Sequence, residues 1–214
     1  MRISSLVKLS VADQALQRPD WTESSGRGSN LLWLDKNENS DPHLNEVVMD
    51  VLCSIDNRSL YGYPNTFELY KKLAVYLGVK MSNLLLSHGS DGVIRSMFDT
   101  FVSNGEKVLI TSPTFVMYEI YAKIYGAKLF KIDYYRSTEG PVLEANRLIE
   151  AIKRYQPKLV CLPNPDSPTG TFFLEDELEK IISVCCDNEV LILVDEAYHP
   201  FCEITALSWI NRFP

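Results

Sequence analysis

Short apolar runs alternate with stretches of helical periodicity along most of this chain. The runs at residues 84–87, 107–111, 128–132, 159–162 and 190–194 have the length of buried strands and are too short for core helices. Between them apolar residues recur every three or four positions: Val93, Ile94, Met97 and Phe98 after the first run, then residues 115–125, 143–155 and 174–186. Strand followed by helix, repeated, predicts an α/β fold with a mainly parallel sheet flanked by helices and right-handed crossovers. Upstream, Leu44, Val47, Val48, Val51 and Leu52 have helical spacing, as do Phe67, Leu69, Leu73, Ala74 and Leu77 before Gly78 supplies a stop signal. These two helices flank the turn Tyr61-Gly62-Tyr63-Pro64, and residues 1–30 have the polar, Gly- and Ser-containing composition of an irregular arm. The organisation expected is an N-terminal arm and helix over residues 1–60 and an α/β body over residues 61–214.

In open α/β sheets ligands bind at the carboxyl ends of the strands, so the residues just after each apolar run carry the candidate chemistry. Asp195-Glu196-Ala197-Tyr198 follows Val190-Leu191-Ile192-Leu193-Val194 and sets a carboxylate at such an end. The loop Pro163-Asn164-Pro165-Asp166-Ser167-Pro168-Thr169-Gly170 follows Leu159-Val160-Cys161-Leu162, so two adjacent strand ends face one crevice. Gly89-Ser90-Asp91-Gly92 reads as a strand-to-helix turn whose free backbone N–H groups suit a phosphate, and equally as an ordinary turn with an N-cap. Asp195 likewise reads either as a ligand group or as a cap on the turn after its strand. For Phe115 a core aromatic at a helix start stands beside a stacking role, and for Tyr63 a turn aromatic before Pro64 stands beside a ligand contact.

The order of these motifs resembles the class I and II aminotransferases that use pyridoxal phosphate, most closely the histidinol-phosphate aminotransferase branch, over residues 30–214. The resemblance implies the large domain of PLP fold type I, incomplete here, and a function in amino-acid biosynthesis: moving an amino group between an amino donor and a keto acceptor. It implies pyridoxal 5'-phosphate as cofactor. Asp195 would hold the ring nitrogen protonated, Tyr198 would bond the phenolic oxygen, and Phe115 would stack on the ring. Ser90 and Asp91 belong to the turn matched to the phosphate. Tyr63 matches a tyrosine that reaches the cofactor phosphate of the neighbouring subunit, which implies a homodimer. Asn37-Glu38-Asn39 matches the Asn-Glu-Asn near the substrate entrance, and without the resemblance it is an Asx-rich loop before a helix.

Two departures matter. The family loop carries a second asparagine that donates to the phenolic oxygen, and here that position is Ser167, whose shorter hydroxyl reaches only through water or a loop shift. The chain also stops at Pro214, before the Ser-x-x-Lys-type segment that keeps the Schiff-base lysine, so no residue here is assigned catalysis. The expectation is a fragment or natural truncation that is inactive alone, with an open sheet edge beside the strand at 84–87. Two alternatives stand beside the aminotransferase: a PLP-dependent decarboxylase or lyase of the same branch, and a truncated non-catalytic remnant.

Composition narrows the partners. A formal charge of −7 and a pI near 5.0, with no basic stripe, argue against nucleic acid. Cys53, Cys161, Cys185, Cys186 and Cys202 contain no C-x-x-C pair and read as reduced cysteines of a cytoplasmic protein. The histidines His43, His88 and His199 are scattered without metal spacing, and no apolar stretch approaches the length of a membrane span.

Overall fold

The computed structural model describes Val11, Gly28 and residues 30–32, 38–39 and 41–213. The arm expected over residues 1–30 lies outside them apart from Val11, Gly28 and Asn30, and so does Asn37 of the Asn-Glu-Asn motif. By contacts the chain divides into two units, residues 18–85 and residues 86–214 with 1–17.

The smaller unit is helical. Helix α1 (Pro42–Cys53) begins where Asp41 accepts a hydrogen bond from the His43 N–H at 3.0 Å and Pro42 fills the first turn, whose donors need no intrahelical partner. A short helix α2 (Arg58–Tyr61) leads through the extended Gly62 towards α3 (Phe67–Leu77). Gly78 ends α3 in the left-handed region at φ 67°, and the Val79 N–H returns to the Ala74 carbonyl, the stop that the sequence implied.

The larger unit is the α/β body. Helix α4 (Gly89–Phe101) precedes β1 (Lys107–Ser112), α5 (Val116–Ile124) and β2 (Lys128–Asp133). A hairpin of β3 (Tyr135–Ser137) and β4 (Gly140–Val142) intervenes before α6 (Ala145–Tyr155), β5 (Leu159–Pro163), α7 (Glu175–Asp187) and β6 (Leu191–Asp195). The main sheet has the order β2-β1-β5-β6 and every pairing in it is parallel. Its registers set Ser112 opposite Asp133 and Pro163 opposite Asp195, so the strands end at one level.

Side chains alternate across a strand, and the alternation divides the core. Val108, Ile110, Leu159 and Cys161 point to the layer of α4 and α5, against Ile94, Phe98, Tyr118 and Tyr121. Leu109, Val160 and Leu162 point the other way, to the layer of α6 and α7, against Leu148, Ile152, Leu178 and Ile181. The expected mainly parallel sheet between helices is therefore the observed fold. All five cysteines are unpaired, with Cys161 and Cys185 in the core.

Residues 84–87 depart from expectation. They are not a strand: a single 3₁₀ turn at Met81–Asn83 leads into extended backbone at Leu84 that enters no ladder. An apolar run becomes a strand only within a ladder, and residues 84–87 belong to neither of the sheets formed by the described residues. The β3–β4 hairpin was not foreseen, because strands of three residues are too short to display a period of two.

Candidate functional site

The carboxyl ends of β1, β5 and β6 and the first turn of α4 surround a cavity open to solvent, with about 380 Å³ of empty space including its mouth. Phe115 lines it from the loop after β1, and Tyr118 from the first turn of α5. Pro163, Pro165 and Ser167 line it from β5 and its loop, while Asp195, Ala197 and Tyr198 do so from the end of β6. Ser90 enters from the start of α4, where Gly89 takes φ 67° and turns the chain into the helix.

Asp195 is the chemical centre. The Tyr118 hydroxyl donates to its Oδ2 at 2.6 Å, and the Ala197 N–H donates to Oδ1 at 3.1 Å. One oxygen thus caps the turn, as the plainer reading of the sequence held, while the other takes a buried phenol. Tyr118 has no exposed surface, and burial, then the neighbouring Asp195 carboxylate, raise its pKa far above that of an ordinary phenol. It therefore remains a donor, and Asp195 receives its hydrogen bond without gaining a countercharge. Below this pair, burial raises the Cys161 thiol in the same way and keeps it neutral. The Phe115 ring meets the Tyr118 ring edge-on, with centroids 5.9 Å apart and planes at 86°, which fixes the orientation of the face it turns to the cavity.

The loop after β5 is tied down from within. Asn164 is buried; its N–H donates to the Asp195 carbonyl at 2.9 Å and its Oδ1 accepts from the Phe173 N–H at 2.7 Å. Ser112–Pro113, Asn164–Pro165 and Ser167–Pro168 are all cis peptides. Glu196 turns away from the cavity, its two oxygens accepting from Thr205 Oγ1 at 2.7 Å and the Ala206 N–H at 2.6 Å, and so secures the segment after β6.

Of the residues singled out from sequence, Ser90, Phe115, Ser167, Asp195 and Tyr198 come together in this cavity. Asp91 does not line it, and its Oδ1 accepts from the Tyr121 hydroxyl at 3.2 Å. Tyr63 belongs to the smaller unit, where its side chain is fully exposed. Sequence reasoning missed Tyr118, although it lies three residues after Phe115 and hence on the same helical face. It also passed over Asp166 as an acid, although this residue is buried. Among the described residues no group of three or more His, Cys, Asp or Glu is placed to hold a metal ion, and no helix is long and apolar enough to cross a membrane.

An α/β body with an acid, an aromatic wall and a helix start converging at the carboxyl ends of its strands has the layout by which open α/β sheets take small, partly anionic ligands. Residues 29–210 match the family described as aminotransferase class I and II, and the chain belongs to that family. It is 35% identical over 183 residues to the histidinol-phosphate aminotransferase of Caldanaerobacter subterraneus subsp. tengcongensis, covering 84% of this chain and 50% of that protein. The chain spans about half the length of the curated relatives it matches. Among solved structures it is similar to histidinol-phosphate aminotransferase from Sinorhizobium meliloti in complex with pyridoxal-5'-phosphate: TM-score 0.62, 20% identity, 74% of this chain and 41% of that one. The PLP-bound C-S lyase of Staphylococcus hominis has a TM-score of 0.61 at 19% identity, over 69% of this chain and 40% of its own. At these identities the structural likeness is one of fold.

Proposed function

We propose that the cavity binds pyridoxal 5'-phosphate and that the protein acts in amino-group transfer between a small amino donor and a keto acceptor, with histidinol phosphate the donor suggested by the relatives. The observation that carries this reading is the Asp195 carboxylate at the end of β6, held by a phenol that stays protonated, beside the Phe115 ring. The residues present fit the group. A flat cationic heterocycle suits an aromatic wall with a carboxylate at its margin, and a phosphate suits Ser90 with the backbone donors of the first turn of α4. When bound, the cofactor supplies an electron sink for a carbanion at the substrate. For their part, Asp195 would keep the ring nitrogen protonated, Phe115 would exclude water from one ring face, and Tyr198 and Ser167 would lie towards the phenolic oxygen.

No lysine stands among the described residues that line the cavity. For the 214-residue chain by itself, the binding we propose is therefore non-covalent. A second copy of the chain is the partner proposed for the exposed Tyr63. The unpaired cysteines accord with the cytoplasm as its compartment.

An absorption titration of the 214-residue protein with pyridoxal phosphate tests this reading, with Asp195→Ala as the control and borohydride reduction followed by peptide mapping as the second step. Saturable binding that Asp195→Ala abolishes, with no lysine specifically fixed by reduction, is the expected result. Equal titration of the two proteins would remove the cofactor reading, and a single specifically labelled lysine would overturn the non-covalent part of it.

A further inference from the structure

Asp166 is 3% exposed, and among the described residues it forms no ion pair. A buried carboxylate without a countercharge is costly unless hydrogen bonds replace its water. Here the hydrogen bonds come from two different loops. The Thr114 hydroxyl, after β1, donates to Oδ1 at 2.9 Å; the Thr169 hydroxyl, in the loop of Asp166 itself, donates to Oδ2 at 3.2 Å. The Tyr134 phenol, after β2, and the Ser167 N–H also favour the charged form of this carboxylate. Burial raises the pKa of the acid, and the hydrogen bonds work against that rise by favouring the charged form. The backbone is fastened in the same place, with the Asp166 N–H donating to the Thr171 carbonyl at 2.8 Å and the Gly170 N–H to the Asp166 carbonyl at 2.9 Å.

The neighbours in sequence give this arrangement its meaning. Thr114 precedes Phe115, and Asp166 stands between Pro165 and Ser167; those three neighbours all line the cavity, whereas Thr114 and Asp166 do not. We propose that Asp166 is a positioning residue that fixes Phe115 relative to Pro165 and Ser167, by drawing the loops after β1 and β5 onto one carboxylate. It does not itself line the cavity. The proposal rests on the cavity being the cofactor site put forward above. It follows that the geometry of the aromatic wall depends on a contact between residues 52 positions apart in sequence.

Two variants of the full 214-residue chain test it. Thr114→Val removes one donor at nearly constant volume, and Asp166→Ala removes the acceptor. We expect pyridoxal phosphate, followed by absorption titration, to bind about fivefold more weakly to Thr114→Val and about thirtyfold more weakly to Asp166→Ala, as one and then several charge-assisted hydrogen bonds are lost. The double variant should bind no more weakly than Asp166→Ala, because both changes break one contact. Amide hydrogen exchange supplies a readout that needs no cofactor: residues 112–116 and 164–171 should exchange faster together in both variants, with α6 and α7 unchanged. Faster exchange at 164–171 alone, or spread over the whole body, would overturn the clamp, as would unchanged affinity in both variants. If the unaltered chain binds no pyridoxal phosphate, the cofactor reading falls, and the exchange pattern alone decides whether Asp166 joins the two loops.

Discussion

Helices α1 and α6 carry the same apolar spacing and meet opposite fates. Leu44, Val47, Val48 and Val51 in α1 stand at the same intervals as Ala145, Leu148, Ile149 and Ile152 in α6. Yet Val47 and Val51 are 47% and 58% exposed, whereas Leu148 and Ile152 are 1% and 0% exposed. Periodicity tells which face of a helix is meant to be covered; it does not tell what covers it. For α6 the cover is the sheet face bearing Leu109, Val160 and Leu162 together with α7. For α1 no residue is buried among those described.

The difference can be broken by measurement. Ile152→Ala should cost about 2–5 kcal/mol in denaturant unfolding, since it opens a cavity in a packed core. Tyr118→Phe should cost about 1.5 kcal/mol in the same assay, because the Asp195 carboxylate loses its buried donor. Asp166 gives the body a pH signature. Its folded pKa is raised from 3.8, so the native state holds the proton more tightly than the unfolded one, and stability falls as pH rises from about 4 to the folded value. Asp166→Asn should remove that slope, which cannot exceed about 1.4 kcal/mol per pH unit for one proton. Glu119, whose pKa is lowered chiefly by its hydrogen bond to Lys131, acts in the opposite sense and is unaffected by this variant.

On the uncovered helix the effects are smaller. Asp41→Ala should cost about 1 kcal/mol, read as lost helicity in α1 by circular dichroism, through loss of the N-cap. Val51→Ala should stay within about 0.5 kcal/mol in the isolated chain. A loss at Val51 as large as at Ile152 would show that something covers α1 in solution and would erase the contrast.

How much was legible follows the same line. Runs of apolar residues between helical periods located β1, β2, β5 and β6 to within a residue or two, since each of these strands has a partner and a covering layer. The run at 84–87 looked identical in sequence and has no ladder, because pairing belongs to the neighbour and not to the run. In the site, loops that follow strands were readable as loops, and Ser90, Phe115, Ser167, Asp195 and Tyr198 did converge. Tyr118 and Asp166 were not readable as partners, since their contacts join residues 77 and 52 positions apart. Burial of an acid in a Pro-rich loop leaves no periodic trace in composition.

The pairing of Pro163 with Asp195 has one more consequence. A strand presents its side chains alternately to its two faces, so a shift of the β5–β6 ladder by one residue would hand the Asp195 carboxylate to the layer of α6 and α7 and bring Val194 or Glu196 to its place. A slip that sets Val194 there would leave every secondary-structure element recognisable and still silence the site, because its charge is set by the phase of a single ladder.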